Sequence, residues 1–196
     1  MSRRNEAVGL TRQRIVDAAV ELHGSVGPAA TTIAAIAETA GVTRLTVYRH
    51  FPDTDSIFAA CSAHWMSQQI APRPDVWAKI GDPLERLRCG LTDLYRFYRD
   101  AEQMLTLVRR DVEHVPAPIK AATIAREQGM RDVLLSAFRV RGPKRDRVGA
   151  VIGHALSFST WRSLCVEQHL SQPVAVDAMV KLVEAVAAPA PRRRTA

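Results

Sequence analysis

Eleven prolines cut this chain into short stretches, at positions 28, 52, 72, 74, 83, 116, 118, 143, 173, 189 and 191. Between them the apolar residues recur at helical spacing. Ile15, Ala18, Ala19 and Leu22 follow i, i+3, i+4, i+7, which is the one-sided stripe of an amphipathic helix. Leu84, Leu87, Leu91, Leu94, Tyr95 and Tyr98 form a second stripe. Met130, Val133, Leu134, Ala137 and Phe138 form a third, and Val176, Met179, Val180, Val183 and Val186 a fourth. No sustained alternating run has strand chemistry. The spacing predicts an all-α chain of about nine helices, roughly at 11–24, 32–39, 43–49, 53–70, 83–99, 102–112, 117–140, 144–168 and 173–187. There is no internal repeat. The break Ala71-Pro72-Arg73-Pro74 marks a seam between a small N-terminal unit and a larger C-terminal one.

Length and composition narrow the class. A chain of 196 residues, 47% apolar and 24% charged, can bury a real core and is neither disordered nor membrane-embedded. The longest uncharged stretch of the second half, Val148 to Trp161, is shorter than the ~20 apolar residues of a membrane span. The N-terminal MSRRNEAVGLTRQR lacks the apolar core of a signal peptide, so the expected location is cytoplasmic, with no membrane partner. Cys61, Cys89 and Cys165 are few and far apart, and make neither a disulfide framework nor a close metal pair.

The net charge is +7, which points to an acidic partner until it is located. Residues 1–55 hold six basic and six acidic groups. The segment 139–147 holds five basic residues to one acidic, and Arg192-Arg193-Arg194 adds three more. Those two pieces contain the whole excess. The first reads as a solvated loop around Gly142-Pro143 and the second as part of a disordered tail. Any nucleic-acid reading must therefore rest on particular residues.

Such residues stand between Thr31 and Phe51, in TTIAAIAETAGVTRLTVYRHF. The pattern is helix, tight turn, helix. Thr32 caps the first helix through its hydroxyl. Ile33, Ile36 and Ala37 form its buried face, and Ala40 is small where two helices cross. Gly41 suits the positive-φ position that ends a helix. Val42 packs under the turn, Thr43 caps the second helix, and Val47 and Phe51 bury one side of it. That leaves Thr43, Arg44, Leu45, Thr46, Tyr48, Arg49 and His50 facing outward. Arg, Thr, Tyr and His on a short exposed helix are what a DNA major groove accepts.

This block resembles the N-terminal signature of the TetR-type transcriptional regulators: an amphipathic first helix, then Thr-x-x-x-Ile-Ala-x-x-Ala-Gly-Val-(Ser/Thr)-x-x-x-(Leu/Val)-Tyr-x-(His/Tyr)-Phe. The match runs over about residues 11–60. The rest of the chain is similar to the family only in helix pattern. The resemblance implies a helix-turn-helix DNA-binding domain over 9–69, a ligand-binding and dimerisation domain over 75–188, and leaves 189–196 as the basic tail. It also implies a homodimer on an operator in double-stranded DNA, with recognition helices in successive major grooves, released by a small-molecule effector. Thr32, Tyr48 and His50 then correspond to phosphate-contacting or positioning groups, and Thr43, Arg44, Leu45, Thr46 and Arg49 to the recognition surface. Two positions depart from the pattern. Thr54, between Asp53 and Asp55, stands where the family usually has a Lys that pairs a phosphate. Leu45 stands where the family usually has a small residue or Pro, and we read it as touching a thymine methyl.

In the C-terminal unit, Val148 to Trp161 is apolar nearly all round and must be buried on more than one side. Gly149, Gly153 and Ala155 permit close approach of another helix. The resemblance puts dimerisation at the helices near 144–168 and 173–187; an ordinary monomer core fits the same pattern. Candidate lining for a ligand cavity is Trp65, Tyr95, Tyr98, Met104, Leu107, Met130, Phe138, His154, Phe158 and Trp161. For any single one of them the core reading is the stronger. His154 stands out because a polar group on an apolar helix needs a partner. No enzyme is expected: there is no Gly-x-Ser-x-Gly, phosphate-cradling glycine loop or His-Glu-x-x-His, and the six histidines are scattered. Nothing calls for a metal or cofactor. The expected function is a ligand-responsive regulator, a repressor on a palindromic operator. The alternative is a constitutive DNA-binding module whose C-terminal helices bind a protein partner.

Overall fold

The computed structural model describes residues 3–188, so the tail 189–196, including Arg192–Arg194, lies outside them. Among the described residues there are eleven α-helices and no strand. They are α1 (Arg3–Ser25), α2 (Ile33–Thr39), α3 (Arg44–His50), α4 (Thr54–Ser67), α5 (Pro74–Trp77), α6 (Pro83–Asp100), α7 (Glu102–Arg110), α8 (Ala117–Leu135), α9 (Gly142–Ala155), α10 (Phe158–Trp161) and α11 (Gln172–Ala187).

The chain forms two compact units. One holds the residues up to Ile70 together with Ala101–Thr123. The other holds Ala71–Asp100 and the residues from Ile124 on. The segment 101–123, grouped from sequence with the C-terminal part, thus clusters with the N-terminal residues. The reason is visible in α7. Gln103 Nε2 donates to the Gly24 carbonyl at 2.7 Å, and Arg110 donates to the Val26 carbonyl at 2.8 Å. The Asp111 carboxylate accepts from Ala29 N at 3.0 Å. Gly27, at φ 91, passes so close that a Cβ there would stand 2.4 Å from Asp111 Oδ2. Arg110 and the Ala29 amide hold the Asp111 carboxyl down to about 2.

In the first unit, α1 is the central packing surface. Its Ile15, Val16, Ala18 and Ala19 are buried with Ile36 and Ala37 of α2, Val47 of α3, Ile57 and Cys61 of α4, and with Ala40 and Phe51, which follow the ends of α2 and α3. The helix begins earlier than its apolar stripe. Residues 5–10 are exposed, so no buried face announces the first two turns.

In the second unit, Leu87, Leu91, Leu94, Tyr95 and Tyr98 of α6 are buried. Val176, Val180 and Val183 of α11 and Val148 and Ile152 of α9 complete that core. The expected helix 144–168 is broken, and so the uninterrupted run Val148–Trp161 is too. α9 stops at Ala155, Ser157 takes an extended conformation (φ −67, ψ 136) and its hydroxyl accepts from Ser159 N at 3.2 Å to start α10. The helix then widens into one π-helical turn at Arg162–Glu167. Breaking a helix strands carbonyls that need donors. Here Thr160 Oγ1 donates to the His154 carbonyl at 2.7 Å, Tyr95 to that of Ala155 at 2.9 Å, and Tyr98 to that of Leu156 at 2.8 Å. Two further departures are smaller. α8 ends at Leu135 rather than near 140, and the four-residue α5 has no counterpart among the expected helices. The basic segment 139–147 is partly helical, since α9 begins at Gly142, and Lys144 Nζ donates to the Ala188 carbonyl at 2.8 Å.

Candidate DNA-binding surface

The short α3 could not hold its own shape in water, because helices of this length are marginal without packing. Its ends and one face are secured instead. Thr43 takes an extended conformation and its hydroxyl accepts from Thr46 N at 3.1 Å. The Thr43 and Thr46 hydroxyls also lie 2.9 Å apart. Val47 is fully buried and Phe51 is 1% exposed, which fastens one face to the core. The far end is closed by Phe51, whose amide donates to the Val47 carbonyl.

The preceding turn is held from α1. Gly41 sits at φ 63, the left-handed conformation that ends α2. Arg14 donates from the α1 side to the Ala40 carbonyl, one of the acceptors that the end of α2 leaves open. The Arg12 guanidinium lies 4.6 Å from the Phe51 ring centroid, a cation–π contact. Both arginines therefore serve the scaffold. Sequence reading missed these roles; the i, i+2 placement of two cations on an amphipathic helix was the faint signal.

What remains outward is the set of residues expected to face DNA. Thr43, Arg44, Leu45, Tyr48 and Arg49 are exposed, and Thr46 and His50 are half-buried. Leu45 is 71% and Tyr48 52% exposed, and at i, i+3 they lie on one face of the helix. Thr32 is exposed and caps α2, its hydroxyl accepting from Ala35 N at 3.1 Å. Asp53 caps α4 by accepting from Ser56 N at 2.7 Å, so the acids around Thr54 include one built into a helix start.

The ten ligand candidates do not converge. Trp65, Met104 and Leu107 are half-buried in the first unit. Tyr95, Tyr98, Met130, Phe138, Phe158 and Trp161 are buried in the second. Tyr98 meets Phe158 edge-on at 5.3 Å, and Phe158 meets Trp161 at 5.3 Å. These rings fill one another's space. His154, expected to need a partner inside an apolar helix, is exposed on α9 instead. None of the ten lines either of two hollows among the described residues. One is an open groove of about 660 Å³ along α6, lined by Arg88, Thr92, Asp93 and Arg96, with Gln172 from α11. The other is a hollow of about 210 Å³ in the first unit, beside His23 and Phe58. Among the described residues no cluster of His, Cys, Asp or Glu could hold a metal, and no helix is long and apolar enough to cross a membrane.

Comparison with known proteins agrees with this geometry. Residues 15–61 match the bacterial regulatory proteins of the tetR family. Over 79 residues the chain is 38% identical to the HTH-type transcriptional regulator AcrR of Shigella flexneri. That stretch covers 40% of this chain and 37% of that protein's length. Among solved structures, the TetR family transcriptional regulator PfmR from Thermus thermophilus superposes with a TM-score of 0.63 at 18% identity, over 87% of this chain and 96% of its own. AibR, solved in complex with isovaleryl coenzyme A and operator DNA, gives 0.62 at 18% identity, over 88% of this chain and 97% of its own. At those identities the likeness is one of fold. The helix-turn-helix with its exposed α3 coincides with the stretch, residues 15–61, that matches the bacterial regulatory proteins of the tetR family, and the chain as a whole shares the all-helical fold of solved regulators of that family.

Proposed function

We propose that this regulator is a homodimeric repressor that binds a palindromic operator and leaves it when a small molecule binds. The observation that carries the DNA half is the exposed face of α3, held on a buried Val47–Phe51 side. Arg44 and Arg49 read guanine edges or pair phosphates, Thr43 and Thr46 approach bases, and Leu45 meets a thymine methyl. Thr32, Tyr48 and His50 position the backbone. Two such helices need a separation of ~34 Å, one turn of DNA. A ligand that prefers a conformation with the wrong spacing releases the protein by population shift. The AibR complex with isovaleryl coenzyme A and operator DNA supports this reading by analogy. The dimer is assigned to α9 to α11, where Val174 and Leu182 leave apolar surface on α11.

Selection of bound sequences from random DNA, followed by gel shift, tests this reading. Paired half-sites and steep weakening with salt are expected; unpaired sites or salt-independent binding contradict it.

The packing of Tyr98, Phe158 and Trp161 against one another favours a second reading, a constitutive DNA-binding module with a protein partner. A thermal-shift screen against small apolar compounds separates the two, because a pocket ligand stabilises by mass action. Binding that lowers operator affinity supports the repressor; an empty screen supports the constitutive module.

A further inference from the structure

The hollow of about 210 Å³ in the first unit is lined by the apolar Ile33, Ile57 and Phe58 and by the polar Thr31, Thr54, His114 and His23. His23 is 7% exposed, and its ring lies 4.8 Å from that of Phe58. A polar ring buried so deeply requires its nitrogens to be satisfied by protein or by water. One of them is. His23 Nδ1 stands 3.4 Å from Cys61 Sγ. Nε2 has no protein hydrogen bond among the described residues, and it is not sealed from solvent.

The hydrogen positions follow from the second contact of the sulfur. Burial holds the imidazole neutral, down to about 4, and keeps the thiol protonated, up to about 12. Each group therefore carries one hydrogen. The thiol donates to the Phe58 carbonyl at 3.2 Å. Its sulfur is then the acceptor toward His23, so the imidazole hydrogen sits on Nδ1. Nε2 presents a bare lone pair to the hollow.

We infer that this hollow binds a small single-ring aromatic molecule whose O–H or N–H donates to His23 Nε2. The volume suits it, since an engineered apolar cavity of ~150 Å³ in another protein takes up benzene. Ile33, Ile57 and Phe58 supply apolar burial and Nε2 supplies a directional contact, the usual division of labour in a small-molecule site. This site lies among α1, α2 and α4 and needs neither an operator nor a ligand elsewhere in the chain.

Titration of the full-length protein with phenol and with anisole, followed by calorimetry and by the ¹⁵N resonances of the histidine rings, tests this. Phenol is expected to bind saturably and to move the His23 Nε2 resonance. Anisole, which has the ring and oxygen but no donor, is expected to bind about tenfold more weakly. In His23→Phe the two ligands should bind alike. Absence of saturable phenol binding, equal affinity for anisole, or a phenol preference that survives His23→Phe overturns the assignment. If His23→Phe fails to fold, the resonance in the unaltered protein decides, and an unmoved Nε2 signal under saturating phenol is contrary.

Discussion

The helix α3 and the aromatic cluster of the second unit are both built around large side chains near a helix end, yet they use them in opposite directions. On α3 the buried face is Val47 with Phe51 behind it, while Leu45 and Tyr48 stand out in solvent. In the cluster Tyr95, Tyr98, Phe158 and Trp161 are all turned inward. The tyrosine hydroxyls are committed as well, to carbonyls freed where α9 breaks. The difference teaches where to look for function. An outward face that joins Arg44 and Arg49 to Leu45 and Tyr48 on a well-capped helix offers groups to a partner, whereas aromatic bulk at helical spacing inside a domain is accounted for by packing.

The contrast can be broken from either side. The largest expected effect is at the base of α3. Phe51→Ala removes a ring that is 1% exposed and under Arg12, and should cost about 4 kcal/mol in urea unfolding. A loss below about 1 kcal/mol would mean that α3 does not depend on this anchor.

The next concerns His23. Its pKa in the fold is about 4, against an ordinary value of about 6.5. Between those values the unfolded chain binds a proton that the folded chain refuses. Stability is therefore whole above about pH 6.5 and falls as pH drops toward 4. The expected loss is about 3 kcal/mol, read from urea midpoints across that range. His23→Phe should flatten it, and an unchanged slope in that variant would assign the titration to another group.

The smallest effect sharpens the other side of the comparison. Tyr98→Phe keeps the ring and leaves the Leu156 carbonyl short of its 2.8 Å donor, so about 2 kcal/mol should be lost. If Tyr98→Phe is neutral in stability but changes the affinity of a small ligand, the ring belongs to a pocket rather than to the core.

Most of the reading head was legible because its signals are local. Thr32, Gly41, Thr43 and Asp53 do in the structure what their residue types favour: three cap helices and one sits at positive φ. The roles of Arg12 and Arg14 were not legible, since their partners lie across a turn and a packing interface. The break at Ser157 was invisible for a related reason. Three hydroxyls make it tolerable, and two of them, on Tyr95 and Tyr98, arrive from about 60 residues away in sequence. His154 was misjudged because helical period names a face without saying which neighbour covers it. His23 carried a signal that went unused: it lies four residues after Ala19 on the α1 stripe, a polar residue in an apolar register.

The central claim is that this chain reads DNA through the outward face of α3. The direct measurement compares the affinity of the unaltered protein and of Arg44→Ala/Tyr48→Ala/Arg49→Ala for the selected operator, at one salt concentration and with folding checked by circular dichroism. All three side chains are outside the core, so the variant should keep its fold. Loss of about 1–3 kcal/mol for each of the two arginines amounts to at least about thirtyfold weaker binding. Retained operator affinity in a folded triple variant would contradict the account.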